Sequence, residues 1–226
     1  MSTDKIFNWN EIDTVLLDMD GTLLDLHFDN QFWLHRVPEA IALQQNIPFD
    51  KAQLTFFKQC NLVKGTLNWY CSDYWTQEIN IDIQQLSNDN ADSIAMRNDA
   101  PLFLKALHKQ NIQRILLTNA HPDSLAIKLA KTGLDAFLDH VYSTHEFGHC
   151  KESLALWESL LVHHPFDPKR TLFIDDNEEL LLVAKKFGIR YVLGIENPDS
   201  QSKHKVFEHC PAIHDYNILT KELNNI

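Results

Sequence analysis

From about residue 99 onward, short apolar runs alternate with amphipathic helical patterns. Each apolar run has the length of a β-strand, and the runs fall at 113–117, 140–143, 171–174 and 190–195. A fifth run, Thr14–Leu17, lies far upstream and is assigned to the same sheet. Buried strands that alternate with helices are typical of βαβ units on a parallel sheet. The pattern therefore predicts an α/β protein with a Rossmann-like parallel sheet core.

Proline and glycine mark the ends of the helices between these strands. Proline is favoured in the first turn of a helix, and glycine just after the last. On this basis Pro101 and Pro122 begin helices, and Gly133 and Gly188 end them. The predicted helices of this half of the chain run from 99 to about 110, from 122 to 133, from 152 to about 162, and up to 188.

Between the first strand and residue 99 the pattern is helical, with no convincing strand. Pro38 is expected to break or kink the first helix there, and Pro48 to restart the next. An insert at this point lies above the carboxyl ends of the strands, where parallel sheets bind their ligands. We therefore expect a core domain of residues 1–26 and 99–226, with residues 27–98 as a small helical cap.

Composition and charge narrow the possible functions. The 226 residues are 44% hydrophobic and 23% charged, as in an ordinary globular protein, and the apolar runs are far too short to span a membrane. The start of the chain lacks the basic and apolar regions of a secretory signal. A net charge of −11 disfavours nucleic acid and anionic membranes as partners, whereas a small phosphorylated ligand stays possible.

The four cysteines, Cys60, Cys71, Cys150 and Cys210, form no CxxC pair. This spacing fits a reducing compartment, although spacing alone leaves a disulfide possible. We expect the protein to be cytoplasmic.

Polar side chains follow four of the predicted strands. Because the carboxyl ends of parallel strands meet at one edge of the sheet, these side chains should converge there. Several carboxylates placed so closely repel one another unless a cation such as Mg²⁺ compensates them. The converging residues are Asp18 and Asp20 after the first strand, Thr118 and Asn119 after the second, Lys151 after the third, and Asp175 and Asp176 after the fourth.

This set of residues can transfer a phosphoryl group. Asp18 can attack phosphorus as a nucleophile, and Asp20 can give a proton to the leaving group and then activate water. Thr118 and Lys151 can hold the phosphoryl oxygens. Each piece alone has an ordinary structural explanation, such as an Asp-Gly turn or a solvated lysine. The full set in this order predicts a Mg²⁺-dependent phosphatase.

The same residues resemble the haloacid dehalogenase-like hydrolase superfamily. Residues 18–22 (DMDGT) match its first motif, Thr118 its second, Lys151 its third, and the Asp175-Asp176 pair its fourth. The resemblance implies an Asp18 nucleophile, an Asp20 acid/base and a helical cap. It also implies Mg²⁺ held by Asp18, the backbone carbonyl of Asp20, and the Asp175-Asp176 pair. Lys151 is followed by Glu152, where many members have proline.

Longer stretches, which extend beyond these motifs over nearly the whole chain, resemble bacterial 5'-nucleotidases that prefer GMP and IMP. They include LLDMDGTLLDLHFDNQFW, LNWYCSDYW, RILLTNAHP, RTLFIDD and NPDS. This resemblance implies a purine nucleoside 5'-monophosphate as substrate. The alternatives are a phosphatase or phosphomutase of the same superfamily that acts on a sugar phosphate or another small phosphorylated metabolite, a haloacid dehalogenase, and a catalytically silent binding protein.

The predicted cap contains candidates for base recognition. Aromatic rings can stack on a purine, although rings at helical spacing more often pack helices together. The aromatic candidates are Trp69, Tyr70 and Tyr74, and the candidates for polar contacts to the base or ribose are Asn30, Arg36 and Lys64. For His145 and Cys150 we favour a surface-loop position and helix-start packing, respectively.

Overall fold

The computed structural model of the protein describes residues 6–226. Residues 1–5, on which the argument against a secretory signal rests, lie outside the described residues. Six parallel strands form one sheet in the order β3-β2-β1-β4-β5-β6. They are β1 (Thr14–Leu17), β2 (Gln113–Thr118), β3 (His140–Ser143), β4 (Thr171–Asp175), β5 (Tyr191–Ile195) and β6 (Ala212–Ile213). The predicted fold class and all five predicted strands are confirmed, and β6 is additional.

The central position of β1 sets the geometry of the carboxyl edge of the sheet. Leu17 pairs with Leu116 of β2 on one side and with Ile174 of β4 on the other. One residue later, the Asp18 N–H donates to the Ile174 carbonyl oxygen over 3.0 Å. The ends of β1, β2 and β4 therefore stand side by side, and polar residues that follow them share one crevice.

The segment between β1 and residue 99 is helical throughout its regular elements, as predicted. Pro38 stands in the first turn of one helix, directly after a π-helical turn of residues Phe32–Arg36. A proline has no N–H to donate, so the hydrogen-bond ladder shifts here while the backbone stays helical. The helices are α1 (His27–Gln31), α2 (Val37–Gln45), α3 (Phe49–Val63), α4 (Leu67–Tyr70), α5 (Ser72–Ile79) and α6 (Ile83–Asp89).

The helices of the second half agree with the sequence pattern to within one or two residues at most ends. Gly133 ends its helix with φ of 63°, the left-handed conformation expected after a last helical turn. A final helix packs Leu219 and Leu223 into the core and was not predicted. These helices are α7 (Ala100–Lys109), α8 (Pro122–Thr132), α9 (Leu154–His163), α10 (Glu178–Phe187) and α11 (Asn217–Asn224).

Two apolar layers cover the faces of the sheet. Leu16 belongs to one layer with Trp157 and Phe173, whereas its neighbour Leu17 belongs to the other, as alternation along a strand requires. The second layer continues without a break into the inserted helices, where it includes Trp75. The insert is thus packed onto the core above the strand ends. None of the helices in the described part of the chain combines the length and apolar character needed to cross a membrane.

Candidate active site

A buried lysine joins the ends of β1 and β4. Lys151 Nζ lies 2.5 Å from Asp18 Oδ1 and 2.7 Å from Asp175 Oδ2, and only 2% of the lysine is exposed. Burial alone would lower the pKa of Lys151, but the carboxylates of Asp175 and Asp18 hold that pKa above its usual value. Lys151 is therefore a fixed positive charge beside the predicted nucleophile.

Three carboxylates meet beside this lysine and fit a divalent cation. Asp18, Asp175 and Asp176 each place one oxygen within 4.8 Å of the others. Burial, opposed by Lys151, raises the pKa of Asp175 to about 8, and burial also raises the pKa of Asp176. Carboxylates this close together repel one another, and an additional positive charge stabilises their ionised forms. Hard carboxylate oxygens are the ligands that Mg²⁺ prefers. Lys205 partly supplies that charge, with its Nζ 2.5 Å from Asp176 Oδ2.

Asp20 is held by a second buried lysine. Lys128 Nζ lies 2.7 Å from Asp20 Oδ1 and donates hydrogen bonds to both carboxylate oxygens of Asp29, at 2.7 and 2.9 Å. Burial and the neighbouring charge of Asp29 raise the pKa of Asp20 to about 7, against the opposing effect of Lys128. A carboxyl group that titrates near neutral pH is suited to both halves of acid/base catalysis.

Asn119 and Glu152 connect the ends of β2 and β3 to the inserted helices. Asn119 Oδ1 accepts hydrogen bonds from the Lys151 N–H at 2.9 Å and the Thr144 hydroxyl at 3.1 Å. Its Nδ2 donates to Glu152 Oε2 at 3.1 Å, and the Tyr70 hydroxyl donates to Glu152 Oε1 at 2.7 Å. Glu152, which replaces the proline common after the lysine, thus bridges the core and α4. The network orients the segment that carries Lys151.

One cavity of about 620 Å³ contains these groups. The catalytic candidates lie at the strand ends, and apolar and aromatic side chains of the insert also line the cavity, including Phe28, Phe56 and Trp75. An apolar chamber with a few polar groups at one end is typical of a small-molecule site. The predicted residues that line it are Asp18, Asp20, Asn30, Trp69, Tyr70, Thr118, Asn119, Lys151, Asp175 and Asp176.

Three predicted substrate contacts are not among the lining residues. Arg36 is about half exposed and pairs with Glu39 over 3.0 Å. Lys64 follows the end of α3 and is exposed, and Tyr74 packs edge-on against Trp75 with ring centroids 5.1 Å apart. The structure therefore brings together the strand-end residues and separates these three from them.

Comparison with known proteins agrees with this geometry. The haloacid dehalogenase-like hydrolase family matches residues 12–188. The chain belongs to this family. It is 46% identical over 215 residues to the GMP/IMP nucleotidase YrfG of Escherichia coli K12 and to that of Shigella flexneri, covering 95% of this chain and 97% of each relative.

Solved structures of the family share the fold at low sequence identity. A HAD phosphatase from Thermococcus onnurineus superposes with a TM-score of 0.77 at 18% identity, over 94% of this chain and 98% of that one. The L-2-haloacid dehalogenase from Xanthobacter autotrophicus gives 0.64 at 16% identity, over 95% and 99%. Structures at this level of sequence identity establish the fold only. The candidate active site is therefore inferred from the residues of this chain.

Sequence reasoning missed several residues of the site. Lys128 falls on the apolar face of α8 near Leu125, and a lysine in an apolar stripe is a signal that could have pointed to a buried partner. The sequence around Asp29 and Lys205 contains no such signal. Only the fold brings Asp29 near Asp20 and Lys205 near Asp176. Asn30, predicted to contact substrate, donates to Asp199 Oδ2 at 2.7 Å.

Proposed function

We propose that the protein is a Mg²⁺-dependent phosphatase that hydrolyses the purine nucleoside 5'-monophosphates GMP and IMP. The observation that carries the proposal is the buried contact of Lys151 with Asp18 and Asp175, beside Asp176, in the cavity of about 620 Å³. The 46% identity to GMP/IMP nucleotidases over nearly the whole chain supports the choice of substrate.

The proposed reaction has two displacements at phosphorus. A carboxylate oxygen of Asp18 attacks phosphorus, the bond from phosphorus to the ribose O5' breaks, and Asp20 gives its proton to that oxygen. The Asp20 carboxylate then takes a proton from water, whose oxygen attacks phosphorus and releases phosphate from Asp18. Lys151 and Thr118 hold the equatorial phosphoryl oxygens in both steps, and Asn119 positions Lys151 and lines the same end of the cavity.

Mg²⁺ would be held by carboxylate oxygens of Asp18, Asp175 and Asp176, with the backbone carbonyl of Asp20. When bound it supplies positive charge that offsets the phosphoryl oxygens and these carboxylates. The raised pKa of Asp175 and the close approach of the three carboxylates are the features that support this cofactor.

Residues 27–98 act in this proposal as a cap, and 1–26 with 99–226 as the core. The chain enters and leaves the cap through two short segments that pair with each other: the Asp25 N–H donates to Ala95 O and the Arg97 N–H to Leu23 O, both at 2.9 Å. This pairing fixes both connections at one place and supports the proposed boundaries.

The base would occupy the aromatic part of the cavity. Trp69 and Tyr70 are the proposed stacking residues, and Asn30 is the proposed polar contact among the three suggested by the sequence, because Arg36 and Lys64 do not line the cavity. Stacking cannot separate guanine from adenine, so selectivity requires a donor to O6. We propose the cytoplasm as location, consistent with four free thiols, and neither nucleic acid nor membrane as a partner.

The test is phosphate release from GMP, IMP, AMP, UMP and glucose 6-phosphate, with Mg²⁺ and with EDTA. A buried donor left unpaired by AMP costs about 1–3 kcal/mol, so kcat/KM for GMP and IMP should exceed that for AMP by roughly five- to 150-fold. EDTA should abolish turnover.

Each failure has its own meaning. Equal values for IMP and AMP would contradict 6-oxopurine selectivity, and a sugar phosphate preferred to every nucleotide would contradict the nucleotidase. Full activity in EDTA would remove the metal from the proposal.

A further inference from the structure

A second cluster of ligand-type side chains lies where the inserted helices meet the core. Cys71 precedes α5, His121 precedes α8, and His145 lies in the turn after β3. One potential ligand atom from each residue lies within 4.8 Å of the other two. The rings of His121 and His145 are 5.0 Å apart between centroids and nearly perpendicular. The three residues come from three elements, and the fold brings them together.

His145, one member of this cluster, has a ring nitrogen, Nε2, that is buried without a hydrogen-bond partner within residues 6–226. Burial, followed by the effect of His121, lowers the pKa of His145, which favours the neutral form of the ring. A neutral imidazole nitrogen with a free lone pair is the form that binds a metal ion.

The other two residues have local roles that do not account for His145. His121 Nδ1 accepts from the Asp123 N–H at 3.4 Å at the start of α8, and Cys71 Sγ accepts from the Tyr74 N–H at 3.4 Å at the start of α5. Helix capping thus explains one hydrogen bond of His121 and one of Cys71. It does not explain why a thiol and two imidazoles converge, or why His145 Nε2 is left unpaired.

The donor set selects the class of metal. A thiolate with two imidazoles suits a borderline-soft ion such as Zn²⁺, and Mg²⁺ prefers oxygen. With Zn–N and Zn–S bonds of about 2.0–2.3 Å, ligand atoms of a tetrahedral site lie roughly 3.3–3.8 Å apart, so small side-chain rotations close this site.

Groups beside His121 can complete and orient such a site. Carboxylate oxygens of Asp73 and Asp123 lie 3.7 and 3.5 Å from its two ring nitrogens, and either carboxylate can supply a fourth ligand. The Ser72 hydroxyl lies 2.7 Å from Nδ1, and it can donate or accept as the tautomer of a metal-bound histidine requires.

We propose that Cys71, His121 and His145 form a Zn²⁺ site, separate from the Asp18 carboxylate cluster, that ties the segment 27–98 to the core. Its ligands come from both parts, and Ser72 and His121 also line the active-site cavity. A consequence that rests on the proposed function follows. If the segment must move to admit GMP or release products, bound Zn²⁺ slows turnover without displacing Mg²⁺.

Cobalt binding to the untagged protein in excess Mg²⁺ tests the site directly. Co²⁺ takes the same ligands as Zn²⁺, and a thiolate ligand adds a charge-transfer band in the near ultraviolet. We expect one Co²⁺ per chain, displaced by Zn²⁺, with that band present. Cys71→Ser should abolish the band and weaken binding at least roughly tenfold, a factor equal to about 1.4 kcal/mol.

Matched variants exclude a general effect of substitution. Cys60→Ser changes another cysteine of the same segment and should keep the band. For Zn²⁺ binding by calorimetry, His145→Ala should weaken affinity, whereas His149→Ala, at an exposed position four residues away, should not. The absence of stoichiometric binding, or a band that survives Cys71→Ser, would overturn the site.

Turnover of GMP provides the second readout. At saturating Mg²⁺, Zn²⁺ should lower kcat of the wild type and leave Cys71→Ser unaffected. Equal inhibition of both would overturn the clamping role. The cobalt spectrum needs no substrate, so failure of the phosphatase proposal and failure of the metal site are separate results.

Discussion

Gly21 lies in the turn after β1, close to Asp176 of the proposed metal site. Its φ of +86° belongs to the left-handed region that glycine adopts without penalty. A Cβ at this position would stand 2.8 Å from Asp176 Cγ and 2.9 Å from Pro198 Cβ, closer than real contacts allow. The conformation of the turn and the position of Asp176 thus both require a residue without a Cβ at position 21.

Replacing Gly21 by alanine should weaken Mg²⁺ binding and catalysis together. The added methyl group must displace Asp176 or strain the turn, so kcat/KM for GMP should fall roughly tenfold or more, equivalent to about 1.4 kcal/mol. Mg²⁺ titrations of activity measure both effects. Gly133→Ala is the matched control, because Gly133 also has positive φ (63°) but an added Cβ there would meet no atom within 4 Å. A Gly21→Ala enzyme with the Mg²⁺ dependence of the control would contradict this role of Gly21.

At the scale of elements, Lys128 ties three parts of the chain together. It lies on α8 and contacts Asp20 after β1 and Asp29 on α1, with 2% of its side chain exposed. The side chains of Asp20 and Asp29 are both less than a quarter exposed, and Lys128 is the counterion of both. Removal of a buried partner leaves such charges uncompensated, which costs more than the pair contributes.

Lys128→Met should lower the free energy of unfolding by about 3 kcal/mol, because the carboxyl groups of Asp20 and Asp29 then lose their buried counterion. Urea denaturation measures the loss. Lys131→Met, one turn further along α8, removes a pair between exposed side chains with Asp92 and should leave stability close to that of the wild type. Equal effects of the two substitutions would show that Lys128 has no special structural role.

Arg114 and Asp139 join the starts of β2 and β3 by three hydrogen bonds of 2.6 to 2.9 Å. The side chain of Arg114 holds the pKa of Asp139 below its usual range. The carboxylate therefore contributes stability above its unfolded pKa of about 4, and this contribution is lost as pH falls through the lower folded pKa.

Asp139→Asn should cost about 1 kcal/mol at pH 7, a figure reduced for the partial exposure of the carboxylate. The difference from the wild type should narrow below about pH 4, where the wild-type carboxyl also becomes neutral. Urea titrations at several pH values give both numbers. A difference that stays constant down to pH 3 would rule out the linkage.

At the scale of the whole molecule, the sequence predicts those strands and helices that leave a local pattern of apolar and polar residues. Buried runs such as Thr14–Leu17 give β1 because both faces of a parallel strand are covered. The two-residue strand Ala212–Ile213 is too short to leave a pattern. Arg36 and Lys64 were predicted to face the substrate, but which side of a helix faces a cavity depends on how the helix packs.

The candidate catalytic residues follow the same rule. The convergence of Asp18, Lys151 and Asp175 was predictable because the carboxyl ends of parallel strands meet at one edge of a sheet. The contacts of Lys128 and Lys205 were not, since they arise where distant segments meet. The convergence of Cys71 with His121 and His145 has the same origin.

A covalent phosphoryl group on Asp18 is central to the proposed mechanism, and acid quenching of a single turnover of GMP with Mg²⁺, sampled throughout its course, tests it most directly. Borohydride reduces an aspartyl phosphate to homoserine, which peptide mass analysis can place. We expect homoserine at position 18, only with GMP present, and none at position 20 or in Asp18→Asn, which should also release no phosphate. Complete conversion of GMP without reducible label at position 18, or label at another aspartate, would contradict the mechanism.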